Sequence, residues 1–340
     1  AEDGIRDLVR SRGLGDVYKR QVQQYVPFDD PTPARRDVLE RQAEARLARA
    51  TAMQLDARLA IASAWITAWA ATERRAAAEH EYELARAIVD VTTRGLAAGV
   101  FTSPELADAK AFLAEVDVRR SDAEGEVSET SFALAEAMAA TTTVRVAGAL
   151  PSAPLPPATV ATELLARAQR LPAIAAVRLS ARVDRARAVE ERAARGPQVI
   201  VGAEVFRDEP GAFVAGLSIG FSMPHDRGQR EAREAELAAR TSDAEASQLG
   251  ARAAIQLARG LHEVTHTQEV LEKLRDLLVP ATEDAAARRQ RALAIGETTI
   301  VELLAARRAA LLARSRLADA RAAHAWARIA AYLLVEATAS

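Results

Sequence analysis

From residue 212 to 223, larger apolar side chains alternate with small or polar ones. Phe213, Ala215, Leu217, Ile219, Phe221 and Met223 point one way, and Ala212, Val214, Gly216, Ser218, Gly220 and Ser222 the other. A period of two predicts a strand with one apolar face. Residues 198–206 predict its hairpin partner across the turn Arg207-Asp208-Glu209-Pro210-Gly211. That partner alternates less cleanly, with Val199, Val201, Ala203 and Val205 against Ile200, Gly202, Glu204 and Phe206. Elsewhere the period is helical. In the last segment, from about Ile300 to Glu336, residues recur every seven positions. Leu303, Ala310, Leu317, His324 and Ala331 form one row, Leu304, Leu311, Ala318, Ala325 and Tyr332 a second, and Ala306, Ala313, Ala320, Ala327 and Leu334 a third. Three adjacent rows exceed a two-stranded seam and predict a helix packed against two neighbours. Leu106, Leu113, Val127 and Leu134 repeat the spacing earlier in the chain.

The remaining helices are long. One is predicted from about residue 34 to 96, one from 103 to 140, and one from 160 to 194 with a break where Leu171 precedes Pro172. Another runs from about 228 to 278 and past Pro280 to 294, on the order of 100 Å if the proline only kinks it. The chain also repeats itself. Residues 96–109 (LAAGVFTSPELADA) match residues 293–306 (LAIGETTIVELLAA) at an offset of 197. The same offset pairs Pro27 with Pro224 and Asp29 with Asp226. This predicts a duplicated unit of long helix, β-hairpin, long helix, tight turn and helix. The first copy is residues 22–147 and lacks its front, "VQQYV" at 22–26 being the end of its second strand. The Pro-rich 148–158 is a linker, and 159–340 is the complete second copy with its hairpin at 198–223. Residues 1–21 differ in style and read as a non-native scar on an N-terminally truncated chain, the export signal lost with the missing part.

Composition narrows the function classes. Alanine is roughly a quarter of the 340 residues and aromatics only 4%, which suits closely approaching helices. A net charge of −2 without a basic block argues against nucleic acid as a partner. The absence of cysteine excludes disulfides, thiol catalysis and Cys-based zinc sites. No apolar run reaches the ~18–20 residues of a spanning helix; the best is 60–71. A barrel strand needs only ~9–11 residues with this dyad pattern, and both hairpin strands suffice. Lipid tolerates no open sheet edge, so hairpins from several chains must be pooled.

In order and duplication these elements resemble the TolC-type outer-membrane efflux family over about residues 22–336. The most specific pieces are "GETTIVELLAA" at 296–306, "LPAIAAVRLSARVDRARA" at 171–188 and "GLSIGFSMPHDRGQREA" at 216–232. "FRDEPG" and "DRGQREA" look like its heavy-metal resistance branch. The resemblance implies a mainly α fold with a β-hairpin. It further implies a homotrimer with a helical α-barrel and a twelve-stranded transmembrane β-barrel, four strands per chain. It implies a passive export duct without catalysis or cofactor, in the outer membrane with a periplasmic extension. Its partners would be a periplasmic adaptor, an inner-membrane pump and outer-membrane lipid. Phe213, Leu217, Ile219 and Phe221 would face lipid. A soluble periplasmic coiled-coil scaffold or adaptor is the alternative.

Thr102-Ser103-Pro104-Glu105 and Thr299-Ile300-Val301-Glu302 fit capping boxes at helix starts. By resemblance these turns are periplasmic tips. Glu302, Glu105 and Asp108 are then aperture candidates, and Gly99, Thr102, Ser103, Gly296, Thr298 and Thr299 adaptor-docking candidates. His262-Glu263-Val264-Thr265-His266 matches the zinc-peptidase pattern H-E-x-x-H. The offset maps its histidines onto Trp65 and Trp69, and no third ligand follows, so no metal site is assigned to it. His80, His225 and His324 stand apart.

Overall fold

The structure is a computed structural model and describes residues 19–27, 30–154, 161–194, 198–207, 212–222 and 227–338. Helices dominate. In chain order the elements are β1 (Lys19–Pro27), α1 (Thr32–Ala97), α2 (Ser103–Ala137), α3 (Ala161–Ala168), α4 (Pro172–Ala194), β2 (Gln198–Arg207), β3 (Phe213–Ser222), α5 (Arg227–Lys273), a π turn (Leu274–Leu278), α6 (Val279–Ala294) and α7 (Ile300–Ala337). Contacts divide the chain into two compact units. One holds residues 1–51 and 172–249, the other 52–171 and 250–340. Each unit draws on both sequence repeats.

In the first unit the strands form an antiparallel sheet in the order β1-β2-β3. β1 takes in Lys19, Arg20 and Gln21, which the sequence reading set apart; their backbone pairs with Phe206, Val205 and Glu204. Ladder hydrogen bonds are indifferent to side-chain pattern, so the strand starts earlier than its apolar residues announce. Residues 1–18 and Met223 to Asp226, with Pro224 and His225, lie outside the described residues. The helical part of this unit is built on alanine. Ile174, Ala181 and Ala188 of α4 and Ala232, Ala239 and Ala246 of α5 recur every seven residues, and all are buried. Methyl-sized contacts at a heptad spacing let helices approach closely. Arg185 pairs with Asp243 and Arg192 with Glu236 across α4 and α5.

In the second unit α7 is central. All three of its seven-residue rows contribute buried residues, among them Leu303, Leu304, Leu311, Ala313, Ala325 and Ala331. One cluster joins Phe112 and Val116 of α2, Ala85 of α1, and Ile300, Leu303 and Leu304 of α7. A second joins Ile66, Trp69 and Ala70 of α1 to Ala322 and Ala325 of α7, with Trp65, Trp326, Val146 and Leu150 against it. Part of the stretch read as a linker is therefore docked. Residues 155–160 lie outside the described residues. Arg74 of α1 ties the three helices, holding Glu126 of α2 through Nε at 3.0 Å and also Asp319 of α7.

Three local expectations are corrected. α2 ends at Ala137 rather than 140, because Ala139 takes a left-handed φ of 51° and closes the helix. Its buried residues are Ala109, Phe112, Val116, Ala123, Leu134 and Ala135, so of the expected row Leu134 is buried while Leu106, Leu113 and Val127 are half-buried. Pro280 does not simply kink a continuous helix. It sits in the first turn of α6, behind the π turn, where the Val279 N–H reaches back to Leu274 O. Proline lacks a donor and crowds the carbonyl four residues back, and the wider turn relieves both.

One buried charge stands out. Glu81 of α1 is 2% exposed, and among the described residues neither its Oε1 nor Arg307 Nε has a hydrogen-bond partner. Burial pushes the Glu81 carboxyl above its ordinary value of 4.5, while Arg307 and Arg314 draw it back down. The folded chain thus holds this proton more tightly than the unfolded chain. The resulting stabilisation is full below 4.5 and is lost as pH rises through the raised folded value. Thermal midpoints measured across this range should fall with rising pH, and Glu81→Gln should remove that component of the slope. An unchanged slope in the variant would rule Glu81 out as its source.

Candidate functional site

The sheet of the first unit carries a largely apolar face, interrupted by Gln24. Register places Val22, Gln24 and Val26 of β1 beside Ala203, Val201 and Val199 of β2, which in turn face Leu217, Ile219 and Phe221 of β3. The uneven alternation of β2 is resolved by that register, since Val199, Val201, Ala203 and Val205 all fall on this face. The opposite face has Gly202 against Ser218 and Glu204 against Gly216. A Cβ at Gly202 would sit 2.5 Å from Ser218 Oγ. Its apolar side chains are largely exposed: Leu217 is 87% exposed, Phe213 75%, Ile219 74% and Phe221 70%. A contiguous patch of this kind marks a lipid or protein partner. Among the described residues β1 and β3 each leave one edge unpaired.

The two tight turns lie in the second unit and share one geometry at the 197-residue offset. Gly99 and Gly296 have φ of 75° and 78°, a region only glycine enters freely. Their N–H groups donate to Leu96 O at 3.0 Å and Leu293 O at 3.2 Å. The next N–H groups, of Val100 and Glu297, donate to Gly95 O at 2.8 Å and Ala292 O at 2.9 Å. Thr102 Oγ1 accepts from Glu105 N–H at 3.4 Å, and Thr299 Oγ1 from Glu302 N–H at 3.3 Å. The carboxylates then diverge. Glu105 Oε2 accepts from Thr102 N–H at 2.7 Å and from its hydroxyl at 2.8 Å, completing the capping box. Glu302 instead accepts from the Thr298 hydroxyl. Both carboxyls are held below their ordinary value, Glu105 by the Thr102 N–H and then its hydroxyl, Glu302 by Thr298 and then the Thr299 contact. Thr102, Ser103, Thr299, Glu302 and Asp108 are exposed, and Glu105 and Thr298 are half-buried. The offset puts Ala305 where Asp108 stands and Glu297 where Val100 stands, so each turn carries two carboxylates, differently placed.

Beside these turns lies a cleft of about 440 Å³ lined by Ile88, Val91, Phe101, Leu293, Ile300 and Leu303. Sequence reasoning missed it, along with Phe112 beneath it. His262, Glu263 and His266 are exposed on α5, and among the described residues no group of three or more His, Asp or Glu converges. Their offset counterparts are used in packing, Trp69 being buried and Trp65 set against the same cluster. His324 Nδ1 lies 3.2 Å from the buried Thr267 Oγ1, and His80 is exposed. Among the described residues no helix is long and apolar enough to cross a membrane.

No protein-family model matches the chain, and no curated protein does either. Solved structures do. The chain is similar to CusC, studied for conformational changes accompanying folding and transmembrane channel formation, at 14% identity over 97% of this chain and 80% of that one, with a TM-score of 0.78. It is similar to the CmeC outer membrane channel of Campylobacter jejuni at 14% identity, covering 95% and 71% of the two chains, with a TM-score of 0.78. It is also similar to the outer membrane protein VceC of Vibrio cholerae at 17% identity, covering 97% and 81%, with a TM-score of 0.76. The chain has the fold of the TolC-type outer-membrane channels.

Proposed function

We propose that the chain is one protomer of a trimeric outer-membrane duct, the passive exit of a tripartite efflux system. The observation that carries this reading is the exposed apolar face of β1–β3, a sheet whose two outer strands each leave one edge unpaired among the described residues. Lipid accepts such a face only in a closed barrel. Three chains, each adding one further strand to β1–β3, close a twelve-stranded wall, and the long helices continue it as a tunnel. The Gly99 and Gly296 turns are then the periplasmic tips, offered to an adaptor that couples the duct to an inner-membrane pump. Thr102, Ser103, Thr298 and Thr299 supply polar contacts there. Glu302, Glu105 and Asp108 brought around one axis in three copies repel one another and favour cations. Within one protomer, hydrogen bonds from Thr102 and Thr298 hold the Glu105 and Glu302 carboxyls below their ordinary value. Metal ions are the cargo that the resemblance of "FRDEPG" and "DRGQREA" to the heavy-metal branch supports.

The test exploits a chain without cysteine. Single cysteines replacing Leu217, Phe221 and Ser218 are labelled with an environment-sensitive probe in the outer membrane. Quenchers dissolved in lipid should reach positions 217 and 221, and aqueous quenchers position 218. A protein that stays monomeric in buffer without detergent, with all three positions equally wet, would favour the periplasmic scaffold instead.

A further inference from the structure

We propose that His262 and His266 form a surface chelate for a borderline divalent transition-metal ion, one per chain, on the side of α5 turned away from its packed stripe. The two histidines are one helical turn apart, the spacing at which side chains meet on one face. Both are exposed. Their rings lie 13° from parallel with centroids 6.3 Å apart. Metal–nitrogen bonds of about 2.0–2.1 Å bring two imidazole centroids on one tetrahedral ion to roughly 5 Å, so side-chain rotation alone closes the gap.

Neither ring is committed to packing. The inward residues of this stretch are Val264 and Thr267, 4% and 7% exposed, and Val264 packs with Ala327 and Ala331 of α7. His262 and His266 sit two residues either side, near the opposite pole of the helix. His324, by contrast, is held against Thr267. The repeat sharpens the point. At the same offset the first copy uses Trp65 and Trp69 to build its core. The second copy keeps the spacing, replaces indole by imidazole and leaves the positions in solvent. Glu263 and Glu269 are exposed nearby on the same helix and add negative charge around a bound cation. Imidazole suits copper, nickel and zinc, and a site of two nitrogens completed by water ranks them by intrinsic affinity, copper tightest. This is a binding site without a catalytic role, and it depends on α5 alone, so its loss leaves the channel reading standing.

Calorimetric titration of the chelator-treated chain with Cu²⁺, Ni²⁺ and Zn²⁺ tests it. The expected result is one ion per chain, copper bound tightest. His262→Ala and His266→Ala should each weaken binding roughly ten- to a hundredfold, at least the scale of a lost outer-shell partner. His80→Ala should change nothing. The double variant His262→Ala with Thr265→His keeps the histidine count but places the pair at adjacent positions, which do not face each other on a helix; it should bind as weakly as the single variants. Wild-type affinity in that double variant, or no difference between the native chain and His262→Ala, would overturn the proposal.

Discussion

Leu217→Arg should abolish trimer accumulation in the outer membrane. Leu217 lies mid-strand on the bare face of β3, 87% exposed and opposite Ala203. An arginine at the bilayer midplane of a barrel costs about 2–4 kcal/mol. Three symmetry-related copies raise that to roughly 6–12 kcal/mol, comparable with the whole stability of an ordinary domain. The matched control is Ser218→Arg, one residue on and on the other face. Ser218 stands opposite Gly202 and is itself exposed, so a longer side chain there can extend away from the sheet. That variant should assemble normally and alter conductance through the pore. Detergent extraction followed by native mass spectrometry reads the first effect, and planar-bilayer recording the second. Normal trimer levels for Leu217→Arg would show that this face does not meet lipid.

Phe112→Ala is the second large effect. Phe112 is fully buried among Ala85, Val116, Ile300, Leu303 and Leu304, and the Arg308 guanidinium lies 5.2 Å from its ring centre. It joins α1, α2 and α7 in one buried cluster, whose surrounding side chains relax only partly into a space left behind. Removing the ring should cost about 3–5 kcal/mol, the range for large aromatic truncations in cores. Leu113→Ala, one residue away and half-buried, should cost markedly less. Urea unfolding of the two variants side by side checks this. Equal losses would mean that α2 packs through its leucine row after all.

The elements differ in how openly the chain announces them. β3 is plain because a two-residue period with Phe213, Leu217, Ile219 and Phe221 on one side has few other readings. The capped turns are equally plain, since threonine three residues before glutamate and a glycine upstream serve a geometry that both copies share. The start of β1 is hidden because Lys19, Arg20 and Gln21 are recruited by backbone pairing and show no apolar pattern. The alanine rows are hidden for another reason. Ala71, Ala78 and Ala85 are nearly or fully buried, yet in a chain this rich in alanine a buried methyl looks like an exposed one. Leucine spacing therefore pointed to Leu106 and Leu113, while the tight core ran through Ala109, Phe112 and Val116. The docked stretch through Val146 and Leu150 was masked by its prolines, which signal a connector whether or not it is tied down. The duct's cargo has no comparable signature in the residues of any one wall.

The π turn at Leu274–Leu278 holds a surplus residue, and that residue sets an azimuth. An α-helix advances about 100° per residue, so the extra position swings everything after it by that angle relative to an uninterrupted helix. Ala286 meets Ala306 and Ala310 only because of this offset. Deleting one residue from the turn would leave every downstream side chain chemically intact and aimed at the wrong neighbour. In this stretch the spacing of the chain is as much a determinant of packing as its chemistry, and length variants there carry information that substitutions do not.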